Sequence, residues 1–142
     1  MRSTAALAAL SLLLASHVGA EPKKANTKPW HVETGEISFY ADMLAGRKTA
    51  SGEVYDPKQA TCAHRTLPFG TVLRVTVGRG KAKRTATCRV NDRGPFAKGR
   101  VLDVSSSLAR TLGFHRRGHV VATLTSVGPR PTEAAKHKRT KR

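Results

Sequence analysis

The sequence predicts a small β-barrel, and three observations carry that prediction. Short apolar runs with period-two alternation recur between turn residues, most clearly over 71–77 and 85–90. Only one short segment, beginning at Ser105 or Ser106, carries helical spacing. The 142 residues include only five per cent aromatics and a net charge of +17, which leaves material for one small core and not two. Many short strands, one short helix and regular turns fit a barrel better than a layered helix-and-sheet fold.

The elements follow in order. Arg2, the apolar run from Ala5 to Ala15 and the small residues Val18-Gly19-Ala20 read as a secretory signal over 1–20, with cleavage expected after Ala20. That apolar run is too short for a stable membrane-spanning helix, and no cysteine follows it to take a lipid. Residues 21–34 are polar, contain Pro22 and Pro29, and are expected to be a linker. Ile37-Ser38-Phe39-Tyr40-Ala41 reads as the first strand, with Phe39 or Tyr40 on its buried face. Thr71–Val77 is the clearest strand, Gly78–Lys81 a hairpin loop, and Thr85–Val90 the returning partner. Val101–Val104 is a further strand. Leu108, Ala109 and Leu112 then give the short helix its apolar side, and Gly113 its stop. His119–Thr125 closes the domain, and the aperiodic 128–142 segment, with six Lys or Arg and one Glu, reads as a disordered basic tail.

An exported chain meets an oxidising compartment, so Cys62 and Cys88 are expected to be bridged. A bridge of that span would stabilise the fold by about 3.5 kcal/mol on the chain-entropy estimate. The positive charge is spread along the chain, and no basic stripe alternates with stacking aromatics. Nucleic acid is therefore disfavoured as a partner, and attraction to an anionic envelope surface fits better, with weak contact expected from the basic tail. The six histidines show no ligand spacing, so neither a metal nor a cofactor is expected.

The stretch Val90-Asn91-Asp92-Arg93-Gly94-Pro95-Phe96 sets a carboxylate and a guanidinium behind an apolar strand and ahead of a Gly-Pro turn. Alone it has two readings: an ordinary turn in which Asp92 bonds its own backbone, or an acid presented at the rim of a groove. Asp103, inside an apolar strand, must find donors and reads as structural, satisfied by backbone or by an arginine.

Four segments together carry a resemblance: Gly35–Tyr40 (GEISFY), Gly46–Asp56 (GRKTASGEVYD), Ala63–Gly70 (AHRTLPFG) and the 90–96 run, backed by Gly99–Asp103 (GRVLD). In that order they closely resemble the double-psi β-barrel domain of the rare lipoprotein A family of bacterial lytic transglycosylases, over about 35–127. The resemblance implies a six-stranded double-psi barrel with one or two short helices and a glycan groove across one face. It implies an endolytic transglycosylase that cleaves peptidoglycan glycan strands, preferring those stripped of stem peptides. Its catalytic pair falls on Glu53 and Asp92. Members of the family often carry a lipobox cysteine and a second peptidoglycan-binding domain, and this sequence has neither, so a soluble, monomeric protein of the periplasm or the exterior is expected. The same barrel occurs in expansins, some of which bind polysaccharide without cleaving it.

Glycan cleavage of this type needs one group to protonate the departing oxygen and then to deprotonate the muramoyl C6 hydroxyl. Asp92 is expected in that role, with Glu53 orienting the sugar or stabilising the cationic centre; the order of the two acids stays open. His64, Tyr40, Arg93 and Phe96 are expected to bind substrate. His64 reads equally as a loop-holding histidine, Tyr40 as a core ring or a stacking platform, and Arg93 as a partner of a substrate oxygen or of a neighbouring acid.

Overall fold

A computed structural model describes residues 28–132. The expected signal segment and most of the basic tail lie outside the described residues. Six strands close into one barrel: β1 (Val32–Phe39), β2 (Thr61–Ala63), β3 (Val72–Val77), β4 (Arg84–Asp92), β5 (Arg100–Val104) and β6 (Val120–Val127), in the ring order β1-β5-β2-β4-β3-β6. The β1–β5 and β2–β4 pairs are parallel and the other four antiparallel. Two walls thus face each other, with β5 across the ring from β3 and β2 across from β6.

The alternation of β3 buries Leu73, Val75 and Val77 and turns Arg74 outward. Ile37, Val90, Leu102, Val104 and Leu124 meet them in the interior, and Phe114 is enclosed below the helix. Helix α1 (Ser106–Thr111) packs Leu108 and Ala109 inward. Ser105 occupies its cap position, but its hydroxyl bonds Ser107 and makes no cap bond. Cys62 and Cys88 form a disulfide that ties β2 to β4, with Cα atoms 5.8 Å apart.

Several strand boundaries differ from the sequence reading by one or two residues, and two differences bear on the site. The first strand starts at Val32, not Ile37, so the expected linker gives up its last three residues. Those residues pair with β6 (Val32 with Thr125, Glu33 with Leu124, Thr34 with Thr123), and an exposed Val32 beside a Glu33 on the Leu124 face inverts the apolar alternation that would reveal a strand. The returning strand of the hairpin also runs past Val90 to Asp92, because Ala63 of β2 pairs with Asp92 beyond a register shift. One backbone approach constrains sequence here. A Cβ on Gly35 would fall 2.5 Å from Val101 Cγ1, so β1 and β5 meet at a residue without a side chain.

Candidate active site

Register builds the site. Asp92 on β4 pairs with Ala63 on β2, Ala63 pairs with Asp103 on β5, and Asp103 pairs with Ser38 on β1. Paired residues share a face, so these four side chains form one row on the outside of the barrel. Two strand spacings separate the aspartates, about 10 Å between Cα atoms. Tyr40 follows β1 and reaches back across the row, where its hydroxyl donates to Asp92 Oδ2 at 2.6 Å.

The two aspartates are held differently. Asp92 Oδ1 accepts the Ala50 and Arg93 backbone N–H groups, both at 2.8 Å, and Oδ2 accepts Tyr40. Asp103 accepts one side-chain bond, from the Ser38 hydroxyl, which also receives a bond from Arg100. Burial pushes the Asp103 carboxyl above the ordinary aspartate range; the Ser38 bond and Arg100 charge pull against that, and the Asp92 charge adds to it. Burial, and then the bond and charge of Asp92, likewise raise the Tyr40 hydroxyl. Asp103 thus takes its donor from a serine hydroxyl, with the Arg100 charge beside it, where the sequence reading expected backbone or an arginine. Its partners come from β1 and β4, and no local signal in Gly99–Val104 names them.

Glu53 stands on a flap over the end of β4. The flap folds back through the Lys48–Val54 bridge, with Gly52 at φ +87° in its turn, and the Ser51 N–H donates to the Asn91 carbonyl. Arg89 clasps Glu53 in bidentate fashion at 2.8 and 2.7 Å, and Asn91 adds a bond at 3.2 Å. The structure thus brings Asp92 and Tyr40 into the row and gives Glu53 to an ion pair beside it.

The remaining candidates are placed by two loops that hold each other. Arg93 Nη1 donates to the carbonyls of His64 and Leu67, and its guanidinium lies 4.0 Å from the Phe69 ring centroid. In return, Arg65 donates to the carbonyls of Pro95, Ala97 and Arg100. Phe96 projects from that second loop, 83 % exposed. His64 is buried: its Nδ1 accepts the Thr66 and Leu67 N–H groups, each at 3.1 Å, and its Nε2 lies 3.0 Å from Glu33. That is the geometry of the loop-holding histidine.

His31 reaches the same Glu33 oxygen at 3.2 Å, so histidines that looked scattered in sequence converge with one carboxylate. The donor set does not suit a metal. Two N–H donors aimed at His64 Nδ1 require a lone pair there, which puts the ring proton on Nε2, the atom that would have to ligate. Burial pushes His64 below the ordinary histidine range despite its bond to Glu33. Burial alone would raise Glu33, but the bonds from His64 and His31 outweigh it and hold the carboxyl below its usual value.

Comparison with known proteins fits this architecture. The family profile described as "Lytic transglycolase" matches residues 32–123. A probable endolytic peptidoglycan transglycosylase RlpA of Nostoc sp. is 53 % identical over 82 residues, covering 56 % of this chain and 22 % of that protein. The endolytic peptidoglycan transglycosylase RlpA of Neisseria meningitidis serogroup A is 41 % identical over 97 residues, 68 % of this chain and 40 % of its own length. The chain therefore spans well under half the length of these relatives. Among solved structures, a Streptomyces papain inhibitor superposes with a TM-score of 0.56 at 24 % identity, covering 70 % of this chain and 97 % of its own. A Clavibacter michiganensis expansin in complex with cellohexaose gives 0.54 at 20 % identity, covering 70 % and 54 %. These likenesses show the fold.

Proposed function

The chain belongs to the lytic transglycolase family, and from that premise we propose that it cleaves the glycan strands of peptidoglycan endolytically, leaving 1,6-anhydromuramoyl ends. We infer that it does so as an exported monomer in the periplasm or outside the cell, preferring glycan free of stem peptides. The observation that carries the chemistry is the pairing of unlike carboxyls in one row: Asp103, raised by burial, and Asp92, accepting from three donors.

In this reading Asp103, protonated, donates to the departing glycosidic oxygen as the C1–O bond breaks. Asp92 faces the oxocarbenium-like centre as a fixed negative group, its position locked by Tyr40 and two backbone donors. The C6 hydroxyl of the same sugar then attacks C1, and Asp103, now a carboxylate, takes its proton. No water enters and the acid is regenerated. Glu53, spent on Arg89 and Asn91, holds the flap that supplies Ala50 N–H to Asp92 and orients the sugar. Phe96, exposed at the loop tip, supports the strand by stacking.

The test is digestion of intact and stem-free glycan by wild type and by the Asp103→Asn, Asp92→Asn and Glu53→Gln variants, with mass spectrometry of the ends. New anhydromuramoyl ends from wild type, lost in Asp103→Asn and Asp92→Asn, support the reading. A second reading, glycan binding without cleavage, draws on the likeness to an expansin seen with cellohexaose. Binding with no new ends in any variant would favour it.

A further inference from the structure

Charge is divided unevenly over this barrel. No acidic residue occurs between Asp56 and Asp92, nor between Asp103 and Glu133. The described acids therefore sit on β1, its following flap, the end of β4, and β5. The acid-free segments contain the β3–β4 hairpin and the turn before β6. The hairpin exposes Arg79, Lys81, Lys83 and Arg84, and the turn exposes Arg116 and Arg117. Register and contact place both at one end of the barrel. Val77 pairs with Arg84 on one side and Ala122 on the other, and the Arg84 guanidinium lies against Gly113. Among the described residues, none of these six cations has an ion-pair partner. Asp42 pairs instead with Arg110, and Glu36 with Arg100 and His119.

We propose that this cationic end docks on an anionic phospholipid surface. Six cations within two loops fall in the range that binds anionic headgroups. They sit on a hairpin and an adjoining turn at one end of the barrel, where they can meet a charged plane together. The hairpin carries no aromatic residue on which bases or sugars stack, and Phe114 of the turn is buried. Val121 borders the tip, while the other large exposed apolar side chains (Val32, Met43, Val54, Phe96) lie on other segments, so the contact is mainly electrostatic and reversible. Asp92 terminates β4 about 26 Å along the strand from Arg84, and the β5–β2 wall faces away from β3 and β6. Docking by this end sets Asp92 away from the membrane, with the Ser38 end of the row nearer to it.

The experiment is cosedimentation of the purified full protein with vesicles of phosphatidylcholine alone or with one third phosphatidylglycerol, at about 0.1 M and 0.5 M salt. Binding is expected only to the anionic vesicles and only at low salt. Changing Arg79, Lys81, Lys83, Arg116 and Arg117 to Gln should weaken it by at least a hundredfold, since each cation contributes about fivefold. A charge-matched variant with Lys28, Lys48, Lys58, Arg74 and Lys98 changed to Gln should bind within a few-fold of wild type. Arg79→Lys/Arg116→Lys/Arg117→Lys should also retain binding, with melting curves showing that each variant folds. Trp30, the one tryptophan, bonds Gly128 past the far end of β6 and should stay unquenched by brominated lipid. Equal loss in both five-site variants would overturn the proposal, as would loss only on removing residues 133–142. So would quenching of Trp30, or retention on DNA or polyphosphate with no vesicle binding.

Discussion

The two facing walls of the barrel do different work with the same backbone. On the β3 and β6 wall, alternation is regular: Leu73, Val75 and Leu124 point inward, and Arg74, Thr76, Thr123 and Thr125 point outward, making few side-chain bonds. On the β5 and β2 wall, the outward positions Asp103 and Ala63 are partly or wholly covered; Asp103 is bonded by Ser38 of the adjoining β1, and Asp92 of the adjoining β4 by Ala50 of the flap. One wall is a solvated surface over a core. The other is a second, polar interior outside the barrel, where burial can raise a carboxyl.

That contrast predicts its own largest break. Asp103→Asn should lower the rate of glycan cleavage about a thousandfold, while Thr123→Asn, outward on the opposite wall, should stay within about twofold, both read from anhydromuramoyl end counts. Comparable losses from both would remove the distinction between the walls.

Stability should divide the other way. Leu124→Ala, in the core under β6, should cost about 3 kcal/mol in denaturant unfolding with little effect on the turnover of the folded fraction. Replacing Cys62 and Cys88 with Ser should cost about 3 kcal/mol as well, but here turnover should also suffer, because the bridge joins the two strands that carry Ala63 and Asp92.

A pH titration sharpens the comparison further. His64 has its folded pKa lowered, so below the ordinary histidine value of 6.5 the unfolded chain binds a proton more readily than the folded one. Its contribution to stability is therefore present above 6.5 and lost as pH falls through that value toward the lowered one. Asp103 has the opposite sign: its folded pKa is raised, so its contribution is present below the ordinary aspartate value of 3.8 and lost as pH rises through the raised one. Asp103→Asn should remove the second trend and leave the first, measured by unfolding midpoint against pH. The smallest expected effect is that of Phe96→Ala. Stability should change by no more than about 0.5 kcal/mol, since the ring is exposed, while KM for glycan rises several-fold.

The regular wall was the more legible one in sequence. Thr71–Val77 and Thr85–Val90 announce themselves by alternation, and His119–Thr125 overlaps β6 over Val120–Thr125. The three residues of β2 are all buried, so they alternate in nothing and show no strand pattern; the sixth strand was implied only by family resemblance. Asp92 stood out because a Gly-Pro turn follows it. Asp103 stood out only as a carboxylate in an apolar strand. Its meaning depends on Ser38 and Asp92, 65 and 11 residues away in sequence, which barrel closure alone brings beside it. The ion pair of Glu53 with Arg89 was hidden for the same reason, since the flap lands on β4 across 36 residues of chain.

The reciprocal arginines give the mouth of the site a shared fate. Arg65 grips the loop that follows Asp92, and Arg93 grips the loop that follows Ala63, so neither loop can lift while the other stays seated. Residues 64–67 and 95–100 should therefore exchange their amide hydrogens as one cooperative unit, and a protease that finds either loop open should find both.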